Sequence, residues 1–152
     1  MIQRVQTIWL ILAALCISCL LLLPIVSSNL IGGEFYITGT GLYQNTGNVS
    51  KQVESYLPLA ISAIALSIFC VINIFNYKNR ELQKKLIYVT IILIIGLSFW
   101  SSQYAKSIPG GLEIAHHGTG MYLSPLAIAF CLLAVRGITR DQKLLKSADR
   151  LR

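Results

Sequence analysis

Tyr77-Lys78-Asn79-Arg80-Glu81-Leu82-Gln83-Lys84-Lys85 is a short basic run with long apolar segments on either side. Four of its nine residues are cationic and Glu81 alone is anionic, a net charge of +3. Lys and Arg resist translocation, so a chain that spans a bilayer keeps such a loop on the cytoplasmic side. Fixing this run inside fixes the direction of every apolar segment around it.

The composition agrees with a membrane chain. Of 152 residues, 55% are hydrophobic and 12% charged, with a mean hydropathy of +0.65. Globular domains carry about 25% charged residues. The net charge of +7 would suit nucleic acid, but its distribution matters more than its sum. Cys16, Cys19, Cys70 and Cys131 all lie within apolar runs. They read as small buried hydrophobes, with no disulfide expected.

Working outward from the basic run, four apolar segments are predicted to span the bilayer, at about 5–26, 56–76, 86–105 and 119–138. About 20 helical residues cross about 30 Å of hydrocarbon. The rival reading of the first segment is a cleaved signal peptide, with Arg4 before the apolar run and Val26-Ser27-Ser28 after it. The run is longer than a typical signal core, which favours an uncleaved anchor. Residues 27–55 form the longest polar stretch, where Phe35-Tyr36-Ile37 and Leu42-Tyr43 between glycines suggest at most a small hairpin. In this layout eleven of the thirteen Lys and Arg residues lie inside, and only Lys51 and Lys106 lie outside. Both termini are therefore expected in the cytoplasm.

The expected fold is an all-α membrane protein. It is a four-transmembrane-helix bundle over 1–138 with a cytoplasmic, basic, amphipathic C-terminal helix over 139–152. Thr139-x-x-Gln142 has the pattern of a capping box that would open this last helix. Leu144, Leu145, Ala148 and Leu151 recur at helical spacing, while Arg140, Lys143 and Arg150 lie away from that stripe. A basic amphipathic helix lies on an anionic membrane surface or docks on a protein. Nucleic acid or the ribosome is the lesser alternative. With Arg80, Lys84 and Lys85 of the basic run, these residues make the candidate partner- or lipid-binding set.

Little in the sequence points to chemistry. Apart from Arg136 at the cytoplasmic end of the fourth, the predicted spans contain no acidic residue, Lys or Arg, which counts against proton relays and charged ion pathways. No phosphate-binding loop, nucleophile elbow or zinc-protease motif occurs. Glu113-x-x-His116-His117 is the best chemical candidate, because Glu and His three apart share one helical face. A metal site needs three or four ligands and no convincing remainder stands out, so solvated imidazoles at the outer face are the plainer reading. No enzyme activity and no cofactor are expected.

The opening Met1-Ile2-Gln3-Arg4-Val5-Gln6-Thr7-Ile8-Trp9-Leu10 resembles that of an uncharacterised four-span family of Bacteroidota inner-membrane proteins. The Asn79-Arg80-x-Leu82-Gln83 run and the ending Ser147-Ala148-Asp149-Arg150-Leu151-Arg152 are similar too. The resemblance covers the whole chain and implies a bacterial inner-membrane protein with no catalytic residue to carry over. The leading expectation is a non-enzymatic accessory subunit or assembly factor of a larger membrane complex, docking through its basic cytoplasmic face. The alternatives are a small-molecule transporter or carrier, and a metal- or haem-binding redox component using His116 and His117.

Overall fold

The computed structural model describes residues 3–30, 33–47, 49–111 and 114–149. Among these, four α-helices run in the order α1 (Gln3–Cys19), α2 (Leu57–Phe75), α3 (Arg80–Ala105) and α4 (Leu123–Asp149). α1 packs against α2 and α4, and α3 closes the ring against the same two helices. Four strands connect α1 to α2: β1 (Val26–Leu30), β2 (Gly33–Thr38), β3 (Gly41–Thr46) and β4 (Val49–Ser55). A fifth, β5 (His116–His117), lies between α3 and α4. They form one antiparallel sheet in the order β4-β3-β2-β1-β5.

The sheet overturns the all-α expectation, and the chain is mixed α and β. The strands escape notice in the sequence because their buried face is partly polar. In β1 the inward positions are Val26 and Ser28, and Ser28 is fully buried with its hydroxyl donating to the Pro109 carbonyl at 3.2 Å. β4 is exposed along its whole length, so it lacks the apolar alternation that marks a half-buried strand. Cross-strand pairing carries the sheet instead. Tyr36 faces Tyr43 across β2 and β3, with ring centroids 5.4 Å apart.

Helix ends also differ from the predicted spans. α1 stops at Cys19, and Leu21 and Leu22 donate back three residues to Ser18 and Cys19 in tightened turns. Pro24 disfavours helix at the residue before it, so the chain turns out here and Val26 already belongs to β1. The basic run is not a free loop. Asn76–Lys78 make one turn of 3-10 helix, and Arg80 to Lys85 form the first turns of α3. Asn79 caps that helix by accepting from the Leu82 amide at 3.2 Å, and Glu81 sits favourably at its positive end.

Packing inside the ring uses small side chains beside large ones such as Leu10, Leu59, Ile87, Ile94 and Ile138. Ala13, Ala63, Cys70, Ala127, Cys131 and Ala134 are fully or nearly fully buried, while Ile11, Ile61, Ile68, Ile92, Phe99 and Leu132 are exposed. A helix bundle in water keeps large apolar residues on the stripe that faces its core and does not expose so many on the outside. Small residues inside and large apolar ones outside suit helices that approach closely with lipid around them. Three helices are long and apolar enough to cross a membrane, at Leu57–Phe75, Arg80–Ala105 and Thr119–Leu144, and Val5–Cys19 is a shorter apolar helix. Specific contacts hold the ring. Ser18 and Ser67 join α1 to α2 with hydroxyls 2.8 Å apart, and Trp9 stacks on Phe130 of α4 at 5.7 Å.

The sheet sits on the end of the ring where α2 and α4 begin. Gly39 donates to the Leu20 carbonyl at 3.0 Å, Tyr56 to Thr40 at 3.0 Å, and Gly118 to Ile25 at 2.9 Å. Tyr56 also stacks on Tyr104 at 4.2 Å, with its hydroxyl 3.0 Å from that of Ser107. Val26, Ile37 and Leu42 bury the base of the sheet against the bundle.

Candidate functional site

Two places in the structure combine polar groups with an accessible surface, one at each end of the ring. The first is the end that carries the basic run. α4 continues as a single helix from Leu123 through Asp149, so residues 139–149 are an extension of the fourth helix rather than a separate one. Thr139 does not cap a new helix. Its hydroxyl donates back to the Val135 carbonyl at 2.9 Å, the bond of a threonine in mid-helix. The expected boundary at 139 is therefore absent, because nothing at Gly137 or Ile138 breaks the backbone ladder.

This extension is tied to the first turns of α3. The Gln142 amide donates to Glu81 at 3.1 Å, and Glu81 also meets Lys84 at 3.3 Å. Arg140, Lys143 and Leu144 are exposed on α4, Lys85 is exposed on α3, and Arg80 and Lys84 are half-buried. The structure thus brings the basic run and the start of the basic tail to one end of the ring. Leu145 and Ala148 continue α4, but their side chains, together with Arg150, Leu151 and Glu113, lie outside the described residues.

Beneath this face lies a buried polar cluster that the sequence did not disclose. Asp141 falls within the expected basic tail, yet its side chain is buried and accepts from the buried Gln6 amide of α1. A Cβ on Gly137 would come within 3.1 Å of Gln6 Cγ, so the glycine makes room for Gln6 to reach one turn further along α4. This end of the ring therefore holds a buried acidic side chain just beyond the last predicted span, which ends at 138. The Gln83 amide donates to the Asn73 carbonyl at 3.3 Å, joining α3 to α2. Among the described residues no group bonds the Asn73 side-chain amide, Asp141 Oδ1 or Arg80 Nη1. A cavity of about 370 Å³ opens beside them, lined by Gln6, Phe75, Tyr77, Arg80 and Gln83.

The second place is a cavity of about 500 Å³ between α3 and α4, at the sheet end. Its walls are mostly apolar, with Ser98, Ser101, Ser102 and Ser124 as hydroxyl groups and His117 of β5 among the lining residues. Concave, largely apolar sites of this size with a few polar groups are the usual form of small-molecule sites. No feature of the sequence marks it. Its serines are scattered at helical spacings and read as helix-packing residues, and only the gap between the two helices gives them a common purpose.

The histidine motif does not form the helical face that its spacing suggests. His116 and His117 are paired in extended conformation with Ser27 and Val26, and both are exposed. Successive residues of a strand point to opposite faces, which separates the two imidazoles as ligands of one ion. Among the described residues no group of three His, Cys, Asp or Glu side chains could hold a metal ion.

Comparison with curated proteins finds no match. A family described as a domain of unknown function, DUF4293, matches residues 2–151. That match takes in all four helices, the sheet and both cavities, and the chain belongs to the DUF4293 family.

Proposed function

We propose that this is a four-span protein of the bacterial inner membrane, with both termini in the cytoplasm and the sheet on the periplasmic side. It acts there as a non-enzymatic accessory subunit or assembly factor of a larger membrane complex. α1 is the fourth span in this reading. Its 17 residues reach about 25 Å, and exposed Leu22 and Leu23 beyond Cys19 lengthen the apolar surface. Exposed Ile8, Ile11 and Leu15 continue the belt of the other three helices. The bacterial source and the Bacteroidota lineage rest on the resemblance of the opening and closing runs.

The observation that carries the docking reading is the uninterrupted α4. A tail joined through a flexible loop would spread its charges over many positions. One continuous helix, braced by the Gln142–Glu81 and Gln6–Asp141 bonds, holds Arg140, Lys143 and Leu144 in a constant relation to Lys84 and Lys85. A preorganised basic face with a half-exposed leucine loses less freedom on binding than a disordered one. It suits an acidic protein partner, with anionic lipid headgroups as a second contact.

The test is purification in mild detergent of the wild-type protein and of a variant carrying Arg140→Glu, Lys143→Glu and Leu144→Asp. A stoichiometric partner should accompany the wild type and be lost from the variant, with thermal stability unchanged. Losing the leucine alone is worth about 1.5–3 kcal/mol, or one to two decades of affinity. Equal recovery of the same partner by both proteins would remove the role of this face. Retention on anionic vesicles that falls steeply with salt, without a protein partner, would assign the face to lipid.

A further inference from the structure

We infer that the cavity between α3 and α4 is a binding site for an amphiphile with one aliphatic chain and a hydrogen-bonding oxygen head, such as a free fatty acid. This rests on the membrane-spanning placement of α3 and α4 but not on the basic face at the other end.

The hydroxyls of the cavity lie toward its sheet end, among apolar residues such as Leu20, Ile25, Val26 and Met121, while its deepest residues, Ile95 and Ile128, are apolar. α3 runs toward the sheet, so along it Ile95 lies deepest, Ser98 and Ser102 follow, and Ala105 is nearest the sheet. α4 runs away from the sheet, so Ser124 is near the mouth and Ile128 is deep. From Ile95 to Ala105 the helix rises about 15 Å. The long axis of the space therefore lies parallel to the helices, with its hydroxyls and His117 toward the sheet. A lipid-like molecule of the sheet-side leaflet has the same polarity, with its head outward and its chain toward the midplane.

The hydroxyl of Ser124 points to a ligand. Ser124 is 7% exposed and lines the cavity, yet among the described residues no group hydrogen-bonds its hydroxyl. Ser98 and Ser101 satisfy their hydroxyls on their own helix, at 2.8 Å to Ile94 and 2.9 Å to Ser98. The hydroxyl is open to the cavity, and an oxygen head seated at the mouth would accept from it. The volume limits the chain. Each methylene displaces about as much as a water molecule, roughly 30 Å³. A cavity of about 500 Å³ therefore has room for roughly fifteen carbons and a head, the size of one chain.

The gap is built into α3 rather than left by loose packing. Where small residues face one another, membrane helices close up. Here Ser98, Ser101, Ser102 and Ala105 line an open space, and Gly118 and Gly120, just before α4, donate to the Ile25 and Pro24 carbonyls.

The test uses the full chain in nanodiscs of phosphatidylcholine and a diazirine-bearing palmitic acid as photo-crosslinking probe. Peptides from 95–105 and 120–128 should carry most of the label, and unlabelled palmitic acid should compete while hexadecane does not. Ser102→Phe, which fills the cavity from an exposed position, should abolish this labelling. Ser124→Ala should weaken competition by palmitic acid about tenfold with the fold intact by thermal melting. Even labelling of all the exposed apolar helix faces, unchanged by Ser102→Phe, would overturn the inference and leave the spanning placement standing. An absence of label on every helix would overturn both.

Discussion

Gly118→Val should lower the stability of this protein by about 3 kcal/mol or more, the largest effect expected of any single substitution at the sheet–bundle junction. A Cβ at this position would lie 2.1 Å from the Pro24 carbonyl oxygen and 2.7 Å from its carbon. Both obstacles are backbone, so no rotamer relieves the clash. The φ of Gly118 is −81°, which any residue adopts, and the cost is therefore contact and not torsion. To make room, β1 and the chain before α4 must separate, breaking the Gly118–Ile25 and Gly120–Pro24 hydrogen bonds of 2.9 and 2.8 Å. For a chain of this size the melting temperature should fall by roughly 6–12 °C. Gly96→Ala is the control. No atom lies within 4 Å of a Cβ built there, and helix propensity favours alanine. A Gly118→Val protein that melts with the wild type would show that the 116–120 segment does not pack against Pro24.

Gln6→Leu and Asp141→Leu should each destabilise the end of the ring that carries the basic run, by about 1–3 kcal/mol, because each leaves its buried partner without its hydrogen bond. The double variant should cost less than the sum, since two apolar side chains of suitable shape leave no orphan. Asp141→Asn keeps an acceptor carbonyl for Gln6 and should be nearly neutral. The single variants should also speed amide exchange in residues 142–149, as that part of α4 loses one of its two braces. A strictly additive double variant would show that Gln6 and Asp141 are not coupled.

The helical part of this fold is legible in the sequence and the sheet is not. Apolar runs bounded by Pro58, the basic run and Lys106 mark α2 and α3 to within a few residues, apart from the helical start of α3 at Arg80. Sheet pairing depends on residues far apart in the chain and on faces whose burial the sequence does not declare. Ser28 is buried but polar, β4 is exposed throughout, and β5 consists of two histidines that read as part of a helical motif. The same limit hid Asp141. Near the start of a predicted tail it looks like any solvated charge, and only the notch at Gly137 and the reach of Gln6 explain why it is buried. The basic end of the ring is more legible, because positive charge near the ends of apolar helices is a local property. Its boundary at Thr139 did not survive, since a threonine hydroxyl serves a mid-helix carbonyl as readily as a helix start.

The central claim is the direction of the four helices, and thiol labelling in intact spheroplasts tests it most directly. Cys16, Cys19, Cys70 and Cys131 are free and three of them are buried, so small replacements give a silent background. In that background Lys51→Cys and Lys106→Cys, both at exposed positions on the sheet side, should react with a membrane-impermeant maleimide before lysis. Lys85→Cys, exposed on the first turns of α3, should react only after lysis. Labelling of Lys85→Cys in intact spheroplasts, or protection of Lys51→Cys until lysis, would contradict the account.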